Sequence, residues 1–91
     1  MRANRTFIVD FLTRPSCSLC ERARPRVVAW AARVGGRVVE RDVSADRELE
    51  LGFGPRVPVV LVEGRVLAEG RISSWTVARR LVWERVRSLL R

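Results

Sequence analysis

Two cysteines stand three positions apart in "RPSCSLCERARP", residues 14–25, in a chain with no other cysteine and no histidine. Residues of this type at this spacing have three chemical uses: half of a metal site, a structural bridge, or a dithiol that forms and breaks a disulfide. A closed zinc site takes four Cys or His ligands, which one copy of this chain does not supply. A thiol at a helix N-terminus meets the positive end of the peptide dipoles and unpaired amide donors, and both stabilise its thiolate. One helical turn then brings the second sulfur within bonding reach. On this reading an exposed Cys17 thiolate attacks a substrate disulfide, and Cys20 resolves the mixed disulfide from behind. Arg14, Arg22 and Arg24 add positive charge around the pair, and Glu21 opposes it. The bland alternative is two small apolar thiols packed at a helix start.

Positioning such a pair takes a strand that ends just before it and a helix that begins with it. Residues 6–12, "TFIVDFL", are β-branched and aromatic with one polar interruption, as in a buried strand. Arg14, Pro15 and Ser16 break it. From Cys17 onward Leu19, Ala23, Val27, Trp30, Ala31 and Val34 recur every three or four residues, which predicts an amphipathic helix stopped at Gly35 and Gly36. Pro25 falls inside it and removes a hydrogen bond to the Glu21 carbonyl. Residues 37–43 read as a second strand, and Ser44 as the cap of a short helix ending by Gly52. Residues 58–62 and 65–69 form two strands joined across Glu63 and Gly64 as a hairpin. Trp75, Ala78, Val82, Val86 and Leu89 mark a last helix capped by Ser73 or Ser74, with that stripe toward the core. The order is β-α-β-α-β-β-α, with Cys17 at the first strand-to-helix junction.

Composition bounds what this can be. The chain has 91 residues, room for one domain spanning 1–91 and one core. Its 47% hydrophobic and 31% charged content is ordinary for a globular protein. All 18 basic residues are arginine, against 10 acids, for a net charge of +8. That charge favours acidic partners, nucleic acid or anionic surfaces without bearing on the fold. Asp10 interrupts the N-terminal apolar run and no small-residue cleavage site follows, so an export signal is not expected. No stretch approaches the ~18 apolar residues of a membrane span. The expected compartment is the cytoplasm, where thiols are kept reduced and a lasting structural disulfide is unusual.

Three motifs together resemble the thioredoxin superfamily, and most closely its small bacterial glutaredoxin-like members: "TRPSCSLC" at a strand-to-helix junction, "RVPVV" opening the third strand, and the short hairpin with its final helix. The resemblance covers nearly the whole chain. It implies an α/β sandwich with a four-stranded mixed sheet, and thiol-disulfide oxidoreductase activity on protein or low-molecular-weight disulfides. It implies that the Val57-Pro58 bond is cis, placing Pro58 beside the cysteines and leaving the Val57 backbone to bond an extended substrate, with Arg14 nearby in the substrate-binding region. Asp10 in "VDF" is similar to a buried aspartate that accepts the Cys20 proton. Its alternative is an aspartate on the far face paired with an arginine.

No bound cofactor is implied, and glutathione is a candidate co-substrate. The Gly-Gly turn and following acid that hold it in glutaredoxins are replaced here by "EGRIS", and the tyrosine between the cysteines by Ser18 and Leu19. Arg71 and Arg56 remain to attract its carboxylates. The partners implied are a disulfide-bearing protein or small thiol and a reductase or glutathione as reductant, with the chain a monomer and no membrane involved.

Two other readings compete. One is a non-enzymatic module of the same fold whose arginine surface binds an acidic protein or nucleic acid. Scattered arginines and only three tryptophans disfavour nucleic acid: Trp30 and Trp75 fall on apolar stripes, and Trp83 is exposed with Arg79 to stack on it. The other is an iron-sulfur cluster shared by two chains through Cys17, which needs four thiolates.

Overall fold

The structure, a computed structural model, describes residues 6–91. The part of the export-signal expectation that rests on residues 1–5 lies outside them. The elements are β1 (Phe7–Thr13), α1 (Ser18–Arg33), β2 (Gly36–Asp42), α2 (Arg47–Phe53), β3 (Val59–Val62), β4 (Arg65–Glu69) and α3 (Ser74–Leu90), with single 3-10 turns at Val43–Ala45 and Gly54–Arg56. The sheet order is β2-β1-β3-β4; β2 runs parallel to β1, β3 antiparallel to β1, and β4 antiparallel to β3. This is the expected mixed four-stranded sandwich.

Alternation along β1 splits the interior in two. Phe7, Val9 and Phe11 point to one face, where Ala23, Val27 and Ala31 of α1 and Val77 and Leu81 of α3 cover them. Leu12 points to the other, against Val43, Val59 and Leu61, with Leu49 and Phe53 of α2 closing over that smaller cluster. Each sheet face thus has its own helical layer, and β1 and β3, the two central strands, carry side chains into both clusters.

The chain leaves α1 through Gly35 in the left-handed region, φ 76°. It then enters β2 at Gly36, where a β-carbon would stand 2.8 Å from Phe7 Cδ2 and 2.9 Å from the Phe7 carbonyl oxygen. Only glycine lets β2 approach the start of β1 so closely.

Three sequence expectations shift. α2 is capped by Asp46, whose carboxylate accepts from the Leu49 amide at 3.1 Å, and not by Ser44. Ser44 is already held by Asp42, which accepts from its amide at 2.8 Å and its hydroxyl at 2.6 Å. β3 begins at Val59, because Pro58 has no N–H to give a ladder. The third change is in the phase of α3. Its inward face is Val77, Ala78, Leu81 and Glu84, while Trp75, Val82 and Leu89 of the expected core stripe are exposed.

The cause is Glu84, which is 5% exposed and accepts a hydrogen bond from Arg65 of β4. A charged residue neutralised across the interface takes a core position that periodicity assigns to the apolar side. Trp30 is half-buried against the larger cluster, with the Arg33 guanidinium 4.5 Å from its ring centre. Trp83 is exposed, but among the described residues the guanidinium-ring contacts are Arg33 on Trp30, Arg56 on Phe53 and Arg85 on Phe7, not Arg79 on Trp83.

Candidate functional site

β1 ends at Thr13, and residues 14–17 turn the chain back over the sheet edge. Ser16 makes the reversal with φ 60°, and Cys17 follows in extended geometry as the N-cap of α1. Its sulfur accepts a hydrogen bond from the Cys20 amide at 3.2 Å, and its carbonyl accepts from the Glu21 amide at 3.1 Å. A cap position is ordinarily filled by an oxygen from Ser, Thr, Asp or Asn. Here the Cys17 sulfur fills it, taking the Cys20 amide of the first turn. The Cys17 and Cys20 sulfurs are joined as a disulfide, with the α-carbons 5.2 Å apart. The two are not equivalent: Cys17 is half-exposed, whereas Cys20 is wholly buried.

The Val57-Pro58 peptide bond is cis, and Pro58 is buried. Register carries the pairing from Leu12–Val59 to the next position, where Pro58 stands level with Thr13. Pro58 therefore lies at the sheet edge from which the chain turns to Cys17. Its carbonyl accepts from the Gly70 amide at 2.9 Å, fixing it to the end of β4, and Val57 before it is extended.

Arg14, expected among the substrate-binding residues, has its guanidinium engaged within the fold. It donates to Glu50 at 2.7 Å and to the Gly54 carbonyl at 3.0 Å, joining the cysteine loop to α2 and the turn before Pro58. A β-carbon at Gly54 would fall on the Glu50 carboxylate and close to the Arg14 guanidinium, so a larger residue there must displace both side chains.

On the α1 side, Thr13, 4% exposed, donates its hydroxyl to Glu40 at 2.9 Å. Arg24 donates to both oxygens of Glu40, at 2.9 and 2.7 Å, and to Glu21 at 2.6 Å. The Arg24 hydrogen bonds hold the Glu40 carboxyl below its ordinary range, against the opposing effect of partial burial and with help from Thr13.

Asp10 is not part of this arrangement. It alternates with Val9 and Phe11, pairs in register with Leu61, and so lies on the α2 face of the sheet, opposite the helix that carries Cys20. Its carboxylate faces Arg41 at 3.4 Å. Placement on the far face with an arginine, the alternative to proton acceptance, is the one observed. Arg56, expected to attract carboxylates, donates to both oxygens of Glu69 at 3.0 and 2.8 Å.

Arg71 does border a cavity, of about 280 Å³, together with Leu19, Arg22, Arg26 and Ser73. Leu19 sits between the two cysteines, and no acidic residue among the described residues lines that space. Arg26 donates to the Ile72 carbonyl at 2.9 Å, which ties the cavity floor together. Sequence reasoning missed Arg26, Glu50, Gly54 and Glu40. Their partners lie 16 or more positions away on other elements, and no local pattern announces them. Among the described residues no group of three or more His, Cys, Asp or Glu side chains is placed to hold a metal, and no helix is long and apolar enough to cross a membrane.

The model of the Glutaredoxin-like domain (DUF836) matches residues 8–87. Uncharacterised proteins of Mycobacterium tuberculosis and Mycobacterium bovis are 32% identical over 62 residues, covering 63% of this chain and 64% of each relative. The chain thus matches somewhat under two thirds of those relatives' length. Among solved structures, one titled as a malarial protein superposes with a TM-score of 0.63 at 16% identity, covering 86% of this chain and 96% of that one. Thioredoxin 1 of Thermosipho africanus superposes with a TM-score of 0.57 at 16% identity, covering 85% and 97%. Likeness at that identity speaks for the fold. The match over most of the sequence places the chain in the glutaredoxin-like domain family, and the structural likeness shows a thioredoxin-like fold.

Proposed function

We propose that the protein is a dithiol-disulfide oxidoreductase in which Cys17 is the nucleophile and Cys20 the resolving thiol. The observation that carries the reading is the asymmetry of the pair. The half-exposed sulfur is the helix cap and receives the Cys20 amide, while its partner is buried one turn behind it. In the reduced protein the Cys17 thiolate attacks one sulfur of a substrate disulfide, forming a mixed disulfide and releasing the other sulfur as a thiolate. Cys20 then loses its proton and attacks the Cys17 sulfur. The second substrate thiolate leaves and the Cys17–Cys20 disulfide closes. Two electrons pass to the substrate, whose two thiolates take up two protons.

A dithiol reductase or two molecules of glutathione returns those electrons. Val57 and Pro58 border the entry side and offer an extended backbone edge to a substrate chain. Arg22, Arg26 and Arg71 favour a substrate carrying carboxylates, glutathione disulfide included. Arg14 acts through Glu50 and Gly54, holding the loop that presents Cys17 rather than touching substrate. The protein works as a monomer in the cytoplasm, without a resident cofactor.

The test is a redox titration of the purified protein in defined thiol-disulfide buffers, with free thiols trapped and counted by mass. A reversible two-electron transition between about −120 and −270 mV is expected. A pair that stays oxidised, or stays reduced, across the whole buffer range overturns the reading.

A further inference from the structure

We infer that the outward face of α3, with Trp30 of α1, is a docking surface for an acidic amphipathic helix of a partner protein. α3 carries two apolar stripes. The inner one, Val77, Ala78 and Leu81, is buried against the sheet. The outer one is Trp75, Val82, Trp83, Val86, Leu89 and Leu90, exposed by 73, 45, 57, 40, 62 and 80%. Single exposed apolar residues are ordinary on any protein, but a contiguous run of large ones marks a contact surface. Two of these are tryptophans, a residue type that dominates binding energy where proteins meet.

The shape and the charge narrow the occupant. From Trp75 to Leu90 the stripe runs ~22 Å along one helix axis, the length of a four-turn helix laid beside it. Trp30, Trp75 and Trp83 wall a groove of about 730 Å³ with Val82 and Val86, which suits side chains entering at helical spacing. Arg79 and Arg80 border the same groove. α3 bears no free carboxylate, because Glu84 is buried and bonded to Arg65.

A second copy docking symmetrically would set arginines against arginines, a like-charge arrangement that costs affinity. A helix with carboxylates flanking its apolar face meets the same rim with complementary charge. Trp30 lies 13 positions after Cys17, ~20 Å along α1, while the Trp75 end of the stripe begins two residues past Ser73, which lines the cavity beside Leu19.

The probe is a fluorescein-labelled peptide of about 18 residues, with leucines at i, i+3, i+4 and i+7 and glutamates flanking them, compared with a version carrying glutamine for every glutamate. Fluorescence anisotropy is read against the intact protein at low and high salt. The glutamate peptide is expected to bind saturably, more weakly as salt rises, and at least about tenfold more tightly than the glutamine peptide. Trp75→Ala and Trp83→Ala are each expected to weaken it about tenfold or more. The exposed pair Arg79→Glu with Arg80→Glu should erase the preference for glutamate. Helical circular dichroism confirms that each variant is folded, and the arginine pair decides the matter if a tryptophan variant is not.

Equal binding of the two peptides, binding by neither, or binding indifferent to every folded variant overturns the proposal. So does a dimer in sedimentation equilibrium that Trp83→Ala dissolves, or partition onto phosphatidylserine vesicles without peptide binding.

Discussion

Arg14 donates to Glu50 across 36 positions of sequence at 2.7 Å, and the same guanidinium reaches the Gly54 carbonyl at 3.0 Å. The loop that presents Cys17 is thereby fastened to the segment that leads into Pro58. Both partners of the pair are about a third or more exposed, so the ion pair itself contributes modestly. Its consequence is positional. Gly54→Ala should displace the Glu50 carboxylate, since the added carbon would meet it at 1.8 Å, and free Arg14. Stability measured by urea unfolding should fall by about 0.5–1 kcal/mol. The rate of reaction of reduced Cys17 with a disulfide should fall as well, and Glu50→Ala, which removes the acceptor, should reproduce the kinetic effect. A rate unchanged in both variants would mean that the brace does not position the thiol.

The Cys17 cap predicts unequal outcomes for the two cysteine substitutions. Cys17→Ser should abolish disulfide exchange. Cys20→Ser should keep the nucleophile and accumulate mixed disulfides on Cys17, visible as mass adducts that dithiothreitol removes. Similar, mild effects of both would contradict the assigned roles.

How much of this is legible in the sequence differs from element to element. The strand-turn-helix around Cys17 is readable because β-branched residues, a Pro-Ser break and an apolar repeat follow one another without interruption. The cis bond at Pro58 follows from the resemblance of "RVPVV", not from any local preference, which favours trans. The phase of α3 is hidden because Glu84 looks like a surface residue until Arg65, 19 positions earlier, is seen to neutralise it. Arg14 and Arg56 look like free cations in the sequence and prove to be held by Glu50 and Glu69. Pairings across elements depend on which side chains the sheet order brings together, and periodicity carries no information about that.

Glu84 should be costly to remove for the same reason. Glu84→Ala leaves a buried gap beside β4 and strips the Arg65 guanidinium of its hydrogen bond to the carboxylate, and Arg65 Nε is already buried without a partner among the described residues. A fall in Tm of about 10 °C is expected by calorimetry. Glu84→Gln keeps an acceptor and should cost less than half as much. A shift of under about 2 °C for the alanine variant would show that the pair only replaces solvation.

Acid should loosen the fold through Glu40, Glu69 and Asp42, whose carboxyls are all held below their ordinary values, by Arg24, Arg56 and Ser44 respectively. A carboxyl with a folded value below its unfolded one stabilises the fold fully above the unfolded value, and loses that contribution as pH falls through the folded one. Urea midpoints should therefore stay level from neutral pH down to about the ordinary glutamate value of 4.5, then drop. Glu40→Gln should start lower at neutral pH and show a shallower acid decline. A midpoint that already falls between pH 7 and 5 would point to a different titrating group.

Asp10 separates the present geometry from the proton-acceptor role its sequence context suggests. It faces Arg41 at 3.4 Å on the α2 side of the sheet, and β1 itself lies between it and the α1 face that holds Cys20. Proton transfer needs hydrogen-bond reach, direct or through one water, and a side chain on the opposite face of the sheet is denied the direct route. Asp10→Asn should leave the resolution step, followed by single-turnover release of the second substrate thiol across a pH series, at the wild-type rate. Loss of an exposed ion pair should change stability by no more than about 1 kcal/mol. Slower resolution with an altered pH profile in Asp10→Asn would instead mean that water carries the Cys20 proton around or through the sheet to Asp10, and the charged pair with Arg41 would then be the resting state of a base.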